Sequence, residues 1–173
     1  MHLSNIISDL FDISCIESGL GFTLNKAPCD IAGIIKGVVP QFQEQSSKHS
    51  FEALLPEQPV ELNIDKDKIT QVLQNILSNA VKYSPKGGLI RITGEIKKDF
   101  YQVSIKDQGI GMTPEQLDRI FEKFFRADAS NTAISGTGLG MSIVKHLVEA
   151  HGGEVRVESM KGKGTTVRFT IPT

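Results

Sequence analysis

A two-layer α/β fold, with an antiparallel or mixed sheet packed on helices, is what this sequence predicts. Two observations point to strands: Leu89–Ile96 and Phe100–Lys106 alternate apolar and polar residues, and so do Glu154–Glu158 and Thr165–Ile171. A third points to helices, since apolar residues recur at spacings of three and four in residues 31–45, 65–83 and 139–150. Strands and helices do not alternate strictly, so the chain is not a Rossmann-type domain. Its 173 residues, 39% hydrophobic and 23% charged, suit one compact globular domain with a real core.

The elements follow in order. Leu3, Ile6, Ile7, Leu10 and Ile13 form a helical stripe over residues 3–17 that is close to a coiled-coil seam, and Gly19 and Gly21 break it. With no cap or lead-in ahead of it, this stripe reads as the end of a longer helical element. Phe22-Thr-Leu24 alternates like a short strand. Asp30 is placed to cap a helix through Ile31, Ile34, Ile35, Val38 and Phe42, with a kink or break expected at Pro40 and His49 expected at its end. Phe51–Leu55 and Val60–Ile64 are two short strands separated by prolines. Asp65 or Asp67 opens the next helix, which stops near Ser84-Pro85. Lys97–Asp99 turns the first long strand into the second. Pro114 starts a short helix through Ile120. Residues 122–137 lack periodicity and read as a mobile loop. Leu139–Ala150 is a helix ended by Gly152-Gly153, and the last two strands form a hairpin around Lys161–Gly164.

Composition narrows the function classes. A net charge of −1 excludes a domain built as a whole for nucleic acid or acidic membranes. Cys15 and Cys29 have neither metal-ligand nor redox spacing and fit a reducing cytoplasm. No run approaches the roughly 18 apolar residues of a membrane span. Residues 1–20 lack a basic start and carry Asp9, Asp12 and Glu17, so no signal peptide is visible.

Four separated elements carry chemistry. On the helix from Asp65 to Tyr83, Gln71, Asn75, Asn79 and Lys82 fall within about an 80° arc at roughly 100° per residue. Ile69, Val72, Leu73, Ile76 and Ala80 take the other side. An Asn carbonyl can ligate Mg²⁺ without adding negative charge beside a triphosphate, and Lys82 offers a cation for phosphate. Alone, this face reads equally as a solvated polar surface. Asp107 ends an apolar strand and is followed by Gly109 and Gly111. A carboxylate there can accept a hydrogen bond from an exocyclic amino group, and glycines let backbone approach a flat ligand. The bland alternative is a strand-ending turn.

Gly136-Thr137-Gly138-Leu139-Gly140 precedes a helix, and bare amides at a helix N-terminus form an anion site. No Gly-Lys-Ser/Thr follows, so it is not a P-loop, and no strand precedes it, so it is not a dinucleotide fingerprint. Phe121-Glu-Lys-Phe124-Phe125-Arg126 puts three rings beside the polar loop, either as an apolar anchor for a cover or simply as core. Arg126 is within reach of a phosphate.

In this order and spacing the four elements resemble the N, G1, F and G2 boxes of the histidine-kinase catalytic and ATP-binding domain. That family lies in the GHKL superfamily with DNA gyrase and mismatch-repair ATPases. The first box reads Gln71-Val-Leu-Gln-Asn75-Ile-Leu-Ser-Asn79-Ala-Val-Lys82-Tyr83-Ser84-Pro85. Phe121–Arg126 and Gly162-Lys-Gly164-Thr165 favour the kinase branch over gyrase.

The resemblance implies a Bergerat-type ATP-binding fold, an α/β (α+β) two-layer sandwich of one mixed sheet on about three helices. It implies ATP and Mg²⁺ as cofactors, with Asn79 a metal ligand and Asn75 supporting it. Lys82 would touch phosphate and Tyr83 would lie by the nucleotide. Asp107 would bind the adenine amino group in a pocket shaped by Gly109, Ile110 and Gly111. Phe124, Arg126, Gly136, Thr137, Gly138, Leu139 and Gly140 would hold or cover the phosphates, with 122–137 as ATP lid, and Thr165 would add a contact near the base. Residues 20–173 are then the catalytic domain. Residues 1–19 resemble the C-terminal end of a helix of the dimerisation and phosphoacceptor domain.

The expected activity is that of a two-component sensor histidine kinase. It would pass the γ-phosphate of Mg·ATP to a histidine of its dimerisation domain, for transfer to the receiver domain of a response regulator. The expected setting is cytoplasmic, with membrane anchoring of the parent left open; nucleic acid is not an expected partner. Two departures stand out. None of His2, His49, His146 and His151 lies in the family's acceptor motif, so no catalytic histidine is expected in the chain. No basic residue lies between Asp128 and Gly140. A serine kinase of the anti-sigma-factor type and a non-catalytic ATP-fold interaction module remain as alternatives. Phe121–Arg126 and the helical stripe argue against the first, and intact Asn79, Asp107 and glycines against the second.

Overall fold

The computed structural model of the chain describes residues 23–127 and 137–173, with Ser14 alone before them. The expected helix 3–17, the segment 1–19, Gly136 and the centre of the expected lid lie outside the described residues.

Among the described residues, two β-sheets and four helices follow in the order β1 (Ala27–Asp30), α1 (Ile31–Gln45), β2 (His49–Leu54), β3 (Glu61–Ile64), α2 (Lys66–Lys82), β4 (Gly88–Ile96), β5 (Phe100–Lys106), α3 (Pro114–Asp118), α4 (Gly140–Ala150), β6 (Val155–Met160) and β7 (Gly164–Pro172). The main sheet has the strand order β2-β4-β5-β7-β6, and β1 pairs with β3 apart from it. β2 runs parallel to β4 and every other pair is antiparallel, so the main sheet is mixed.

Alternation decides which face is buried. Ile90 and Ile92 of β4, Tyr101, Val103 and Ile105 of β5, and Val167, Phe169 and Ile171 of β7 point inward. They meet Ile34, Ile35 and Val38 of α1, Ile69, Leu73 and Ile76 of α2, and Ile143, Val144 and Leu147 of α4 in one core. The opposite face of the sheet is polar. There Arg91 pairs with Glu52 at 2.5 Å, Arg156 with Glu154 at 3.0 Å and Arg168 with Glu158 at 2.5 Å. These pairs are solvated, so they add little and the core carries the fold.

The caps explain the helix starts. Asp30 accepts from the amides of Ala32 and Gly33 and, at 3.0 Å, from Val60, which joins α1 to the β1–β3 pair. Asp65 accepts from Asp67 and Lys68 to start α2, and from Asn25 across 40 residues. Between the two candidates, Asp65 is the cap.

Three readings of the sequence need correction. Thr23 and Leu24 lie in no strand; the strand of this region is β1, three residues further on. His49 does not end a helix, because α1 stops at Gln45 and His49 opens β2. Its ring closes the gap instead: Ser46 Oγ donates to Nδ1 at 2.5 Å, and Nε2 donates to the Ser84 carbonyl at 2.9 Å. Pro40 does not break α1, which runs through it to Gln45.

Candidate functional site: a cleft between two helices and the sheet

The C-terminal half of α2, the N-terminus of α4 and the ends of β5 and β7 enclose a cleft. Its wall includes Asn75, Asn79, Lys82 and Tyr83 from α2, Asp107, Ile110 and Gly111 after β5, Arg126, Thr137, Gly138 and Gly140 from the segments around α3 and α4, and Thr165 from β7. Twelve of the sixteen residues picked from sequence therefore meet at one place. Their spacing in the chain is set by topology: β5 and β7 are neighbours, and α2 packs beside α4.

The Asp107 end is built by backbone. Asp107 N–H donates to the Thr165 carbonyl at 2.9 Å, continuing the β5–β7 ladder. The carboxylate oxygen Oδ1 accepts from Gly109 N–H at 2.8 Å and from Thr165 N–H at 3.1 Å. With Oδ1 occupied twice, Oδ2 is the oxygen offered to the cleft. Burial pushes the Asp107 carboxyl above its ordinary value, and the two amides only partly oppose this. A charge is thus held, at some cost, where a ligand N–H would offset it.

Gly109 lines no wall itself. A Cβ there would sit 2.3 Å from the Tyr83 carbonyl, so the glycine is required by close approach of two backbones. Ile110 N–H then donates to that same Tyr83 carbonyl at 2.9 Å, tying the loop after β5 to the end of α2. Thr165 is fixed from behind by Ser159, whose Oγ lies 2.9 Å from Thr165 Oγ1 and accepts from Met112 N–H at 2.9 Å.

The other end depends on α2 and the start of α4. Asn75 Nδ2 donates to the Gly140 carbonyl at 3.5 Å, which leaves the amide oxygen as the group free to ligate. Among the described residues no cluster of three or more His, Cys, Asp or Glu could hold a metal ion. The oxygens that Asn75 and Asn79 could offer a cation are neutral amides, a donor type that hard ions accept. Gly138 has φ +73 and packs on the Phe124 backbone. Leu139 is buried and does not line the cleft; its carbonyl accepts from Ser142 Oγ at 2.8 Å and from Ile143 N–H.

Phe124 is not in the wall either. It sits at φ +63 with its ring 64% exposed, and the neighbouring Phe125 lines the cleft instead. A turn between α3 and Arg126 rotates the three rings apart. Phe121 packs on the core beneath Lys145, whose Nζ lies 5.5 Å from the ring centre, and Arg119 lies 4.7 Å over Phe125. Neither of the alternatives open for this segment is the whole answer, since one ring is core, one is wall and one faces solvent.

Sequence reasoning missed the apolar floor: Met112, Ile120, Met141 and Val157 also line the cleft. Met112 next to Gly111 and Met141 next to Gly140 were legible as neighbours of motif glycines. Ile120 and Val157 carry no such signal. The described histidines are used structurally. His151 Nδ1 donates to the Leu147 carbonyl at 2.7 Å and Nε2 accepts from Asp65 N–H at 3.1 Å, while His146 Nδ1 donates to the Ser142 carbonyl at 2.7 Å.

Residues 64–173 match the family model described as histidine kinase-, DNA gyrase B-, and HSP90-like ATPase. The sensor histidine kinase WalK of Bacillus subtilis is 37% identical over 99% of this chain and 28% of its own length. The mycobacterial sensor histidine kinase MprB superposes with a TM-score of 0.73 at 30% identity, over 85% of this chain and 97% of that one. Full-length ShkA in complex with AMPPNP superposes with a TM-score of 0.81 at 28% identity, over 99% of this chain and 36% of that one. The chain thus spans under a third of the WalK relative's length. Among the described residues no helix is long and apolar enough to cross a membrane.

Proposed function

The chain belongs to the histidine kinase-, DNA gyrase B- and HSP90-like ATPase family, as an ATP-binding catalytic domain of the sensor histidine kinase kind, and we propose that its cleft binds Mg·ATP with the base at Asp107 and the phosphates toward Gly138. The observation that carries this orientation is the Asp107 carboxylate in the cleft wall, with Oδ1 taken by two backbone amides and Oδ2 left to accept from a ligand. An adenine amino group is the partner it suits, because a carboxylate only accepts. Ile110, Gly111 and Tyr83 flank that base, and Thr165 adds a polar group beside it.

In this reading Asn79, supported by Asn75, holds Mg²⁺ through amide oxygens. Bound there, the ion would supply positive charge beside the phosphates. Lys82, Arg126 and the Thr137–Gly140 backbone hold the phosphates. Residues 20–173 form the catalytic domain, and residues 1–19 belong to a helix of the dimerisation and phosphoacceptor domain. The γ-phosphoryl goes to a histidine of that domain, in a dimer of the full kinase, and onward to a response regulator receiver domain. Such transfer relies on positioning and charge more than on covalent chemistry from the protein, which fits a wall that offers amides, glycine backbone, Lys82 and Arg126. His151 is unsuited as an acceptor, because hydrogen bonds inside the fold hold both of its ring nitrogens. A cytoplasmic setting is part of the same proposal.

Calorimetry with Mg·ATP tests it, beside Asp107→Asn. The substituted amide keeps one oxygen for the Gly109 and Thr165 amides and turns an NH₂ toward the ligand's own amino group. Affinity is expected to fall by about 10- to 100-fold, the worth of a hydrogen bond to a charged group, with the thermal midpoint preserved. Equal binding by both proteins would remove the base from Asp107.

A further inference from the structure

We propose that Gln116 is a positioning residue for the phosphate end of the cleft, holding Phe125, Arg126 and Ala127 in the wall through the far end of its side-chain amide; this rests on the ATP reading of the site. Gln116 is the third residue of α3, and one half of its bonding is ordinary helix capping. Its backbone N–H donates to Thr113 Oγ1 at 3.4 Å, and its Oε1 accepts from Thr113 N–H at 2.9 Å. The other half is not needed by the helix. Nε2 reaches eleven residues on and donates to the Ala127 carbonyl at 2.5 Å.

Phe125, Arg126 and Ala127 are consecutive wall residues, and they follow a turn strained at Phe124. The Phe125 N–H is held by the Glu122 carbonyl at 3.3 Å, a contact within the same turn. The Gln116 amide instead ties the far side of the segment to a capped helix that packs on β6. The residue type discriminates between the two jobs. Capping asks only for an acceptor at this position, and Glu supplies one with a charge that favours a helix N-terminus. Holding Ala127 asks for a donor, which Gln has and Glu lacks.

Gln116→Glu therefore separates them. The cap survives, so the thermal midpoint is expected to stay or rise. Two acceptors would now face each other at Ala127, so Mg·ATP affinity is expected to fall roughly threefold to tenfold, the range of one net hydrogen bond. Adenosine, which touches only the Asp107 end, is expected to bind as in the wild type. Amide hydrogen exchange at residues 125–127, measured without ligand, is expected to quicken. Wild-type Mg·ATP affinity in the variant, or equal losses for adenosine and Mg·ATP, or a midpoint lowered by more than the loss of one hydrogen bond accounts for, would each overturn the proposal. If the wild type itself bound no Mg·ATP, the site reading would fail, and the exchange comparison would still decide whether Gln116 holds the segment.

Discussion

The two ends of the cleft are built differently. At the Asp107 end, the loop after β5 is tied to β7 across 58 residues by the Asp107–Thr165 bonds, to α2 by Ile110–Tyr83, and to the β6–β7 turn by Gly162 N–H on the Ile110 carbonyl at 2.7 Å. At the Gly138 end, Phe121–Ala127 is a run of turns whose backbone–backbone hydrogen bonds, among the described residues, stay within three residues, with Phe124 exposed at positive φ. The first end is preorganised by the sheet and presents a fixed shape for a flat, rigid group. The second is held mainly by local bonds, which suits the flexible chain of phosphates that the proposed ligand would bring.

Two glycines at φ near +70° make the difference measurable, and theirs is the largest effect expected. At Gly111 (φ +63) a Cβ would stand 2.0 Å from the Met160 carbonyl oxygen and 2.6 Å from its carbon, both backbone of β6. A strand paired to the sheet cannot yield, so Gly111→Ala is expected to lose about 3 kcal/mol of stability or more from strain and overpacking together. At Gly138 (φ +73) the obstacle is Phe124 backbone at 2.7 Å, which belongs to the exposed turn and can shift. Gly138→Ala is expected to cost about 1–2 kcal/mol in denaturant unfolding, and to lose Mg·ATP affinity out of proportion to that. Equal losses of stability for the two would erase the contrast.

A smaller effect tests the ends of the helices that lie away from the cleft. His151, at the C-cap of α4, is buried and neutral: Nε2 accepts from Asp65 N–H at the N-cap of α2. Burial holds its pKa below the ordinary value, and the Lys26 charge adds to this, while its bond to Leu147 and the Asp65 charge oppose. Asp65 itself lies below its ordinary value: burial pushes it up, but amides of Asn25, Lys68 and Asp67, with His151, pull it lower. For a base with depressed folded pKa, the unfolded chain binds the proton first. The His151 contribution is complete above the unfolded pKa of about 6.5 and fades as pH falls below it. Unfolding midpoints in urea are expected to drop between about pH 7 and pH 5, and less so in His151→Gln. Nucleotide affinity, measured well below the midpoint, should follow neither. A parallel loss of affinity would mean that the far ends of α2 and α4 govern the cleft.

The same contrast explains what was legible in the sequence. Elements fixed by local chemistry stood out: Asp30 as a cap, the alternation of β4 and β5, Pro114 at the start of α3. So did the Asp107 end, because a strand ending in Asp-x-Gly-x-Gly needs its glycines for close backbone approach. β1 was missed because four residues containing Pro28 give no alternation to count. His49 was misread because Ser46–His49 carries no stop signal, and its role depends on Ser84, 35 residues away. The choice of Phe125 over Phe124 for the wall was illegible, since it turns on one positive φ in a turn. The parallel pairing of β2 with β4 and the apolar floor come from tertiary assembly, which no local period encodes.

Gly140 offers the finest division, because it shares a motif with Gly138 and little of its constraint. It is the first residue of α4, and a Cβ there would meet only the Asn75 carboxamide, at 3.6 Å or more, an ordinary contact. Alanine also costs less conformational freedom in a helix than glycine, by about 1 kcal/mol in an interior and less at an end. Gly140→Ala is therefore expected to leave stability unchanged or raise it by about 0.5 kcal/mol, and to change Mg·ATP affinity by less than roughly threefold, a difference of under 1 kcal/mol. Calorimetry and a urea titration on one preparation read both. A large loss of affinity with stability intact would mean that the site needs bare backbone at Gly140 for the ligand's sake, and the locally held end of the cleft would then extend into the first turn of α4. Loss of both would place Gly140 with Gly111, among glycines that the fold itself requires.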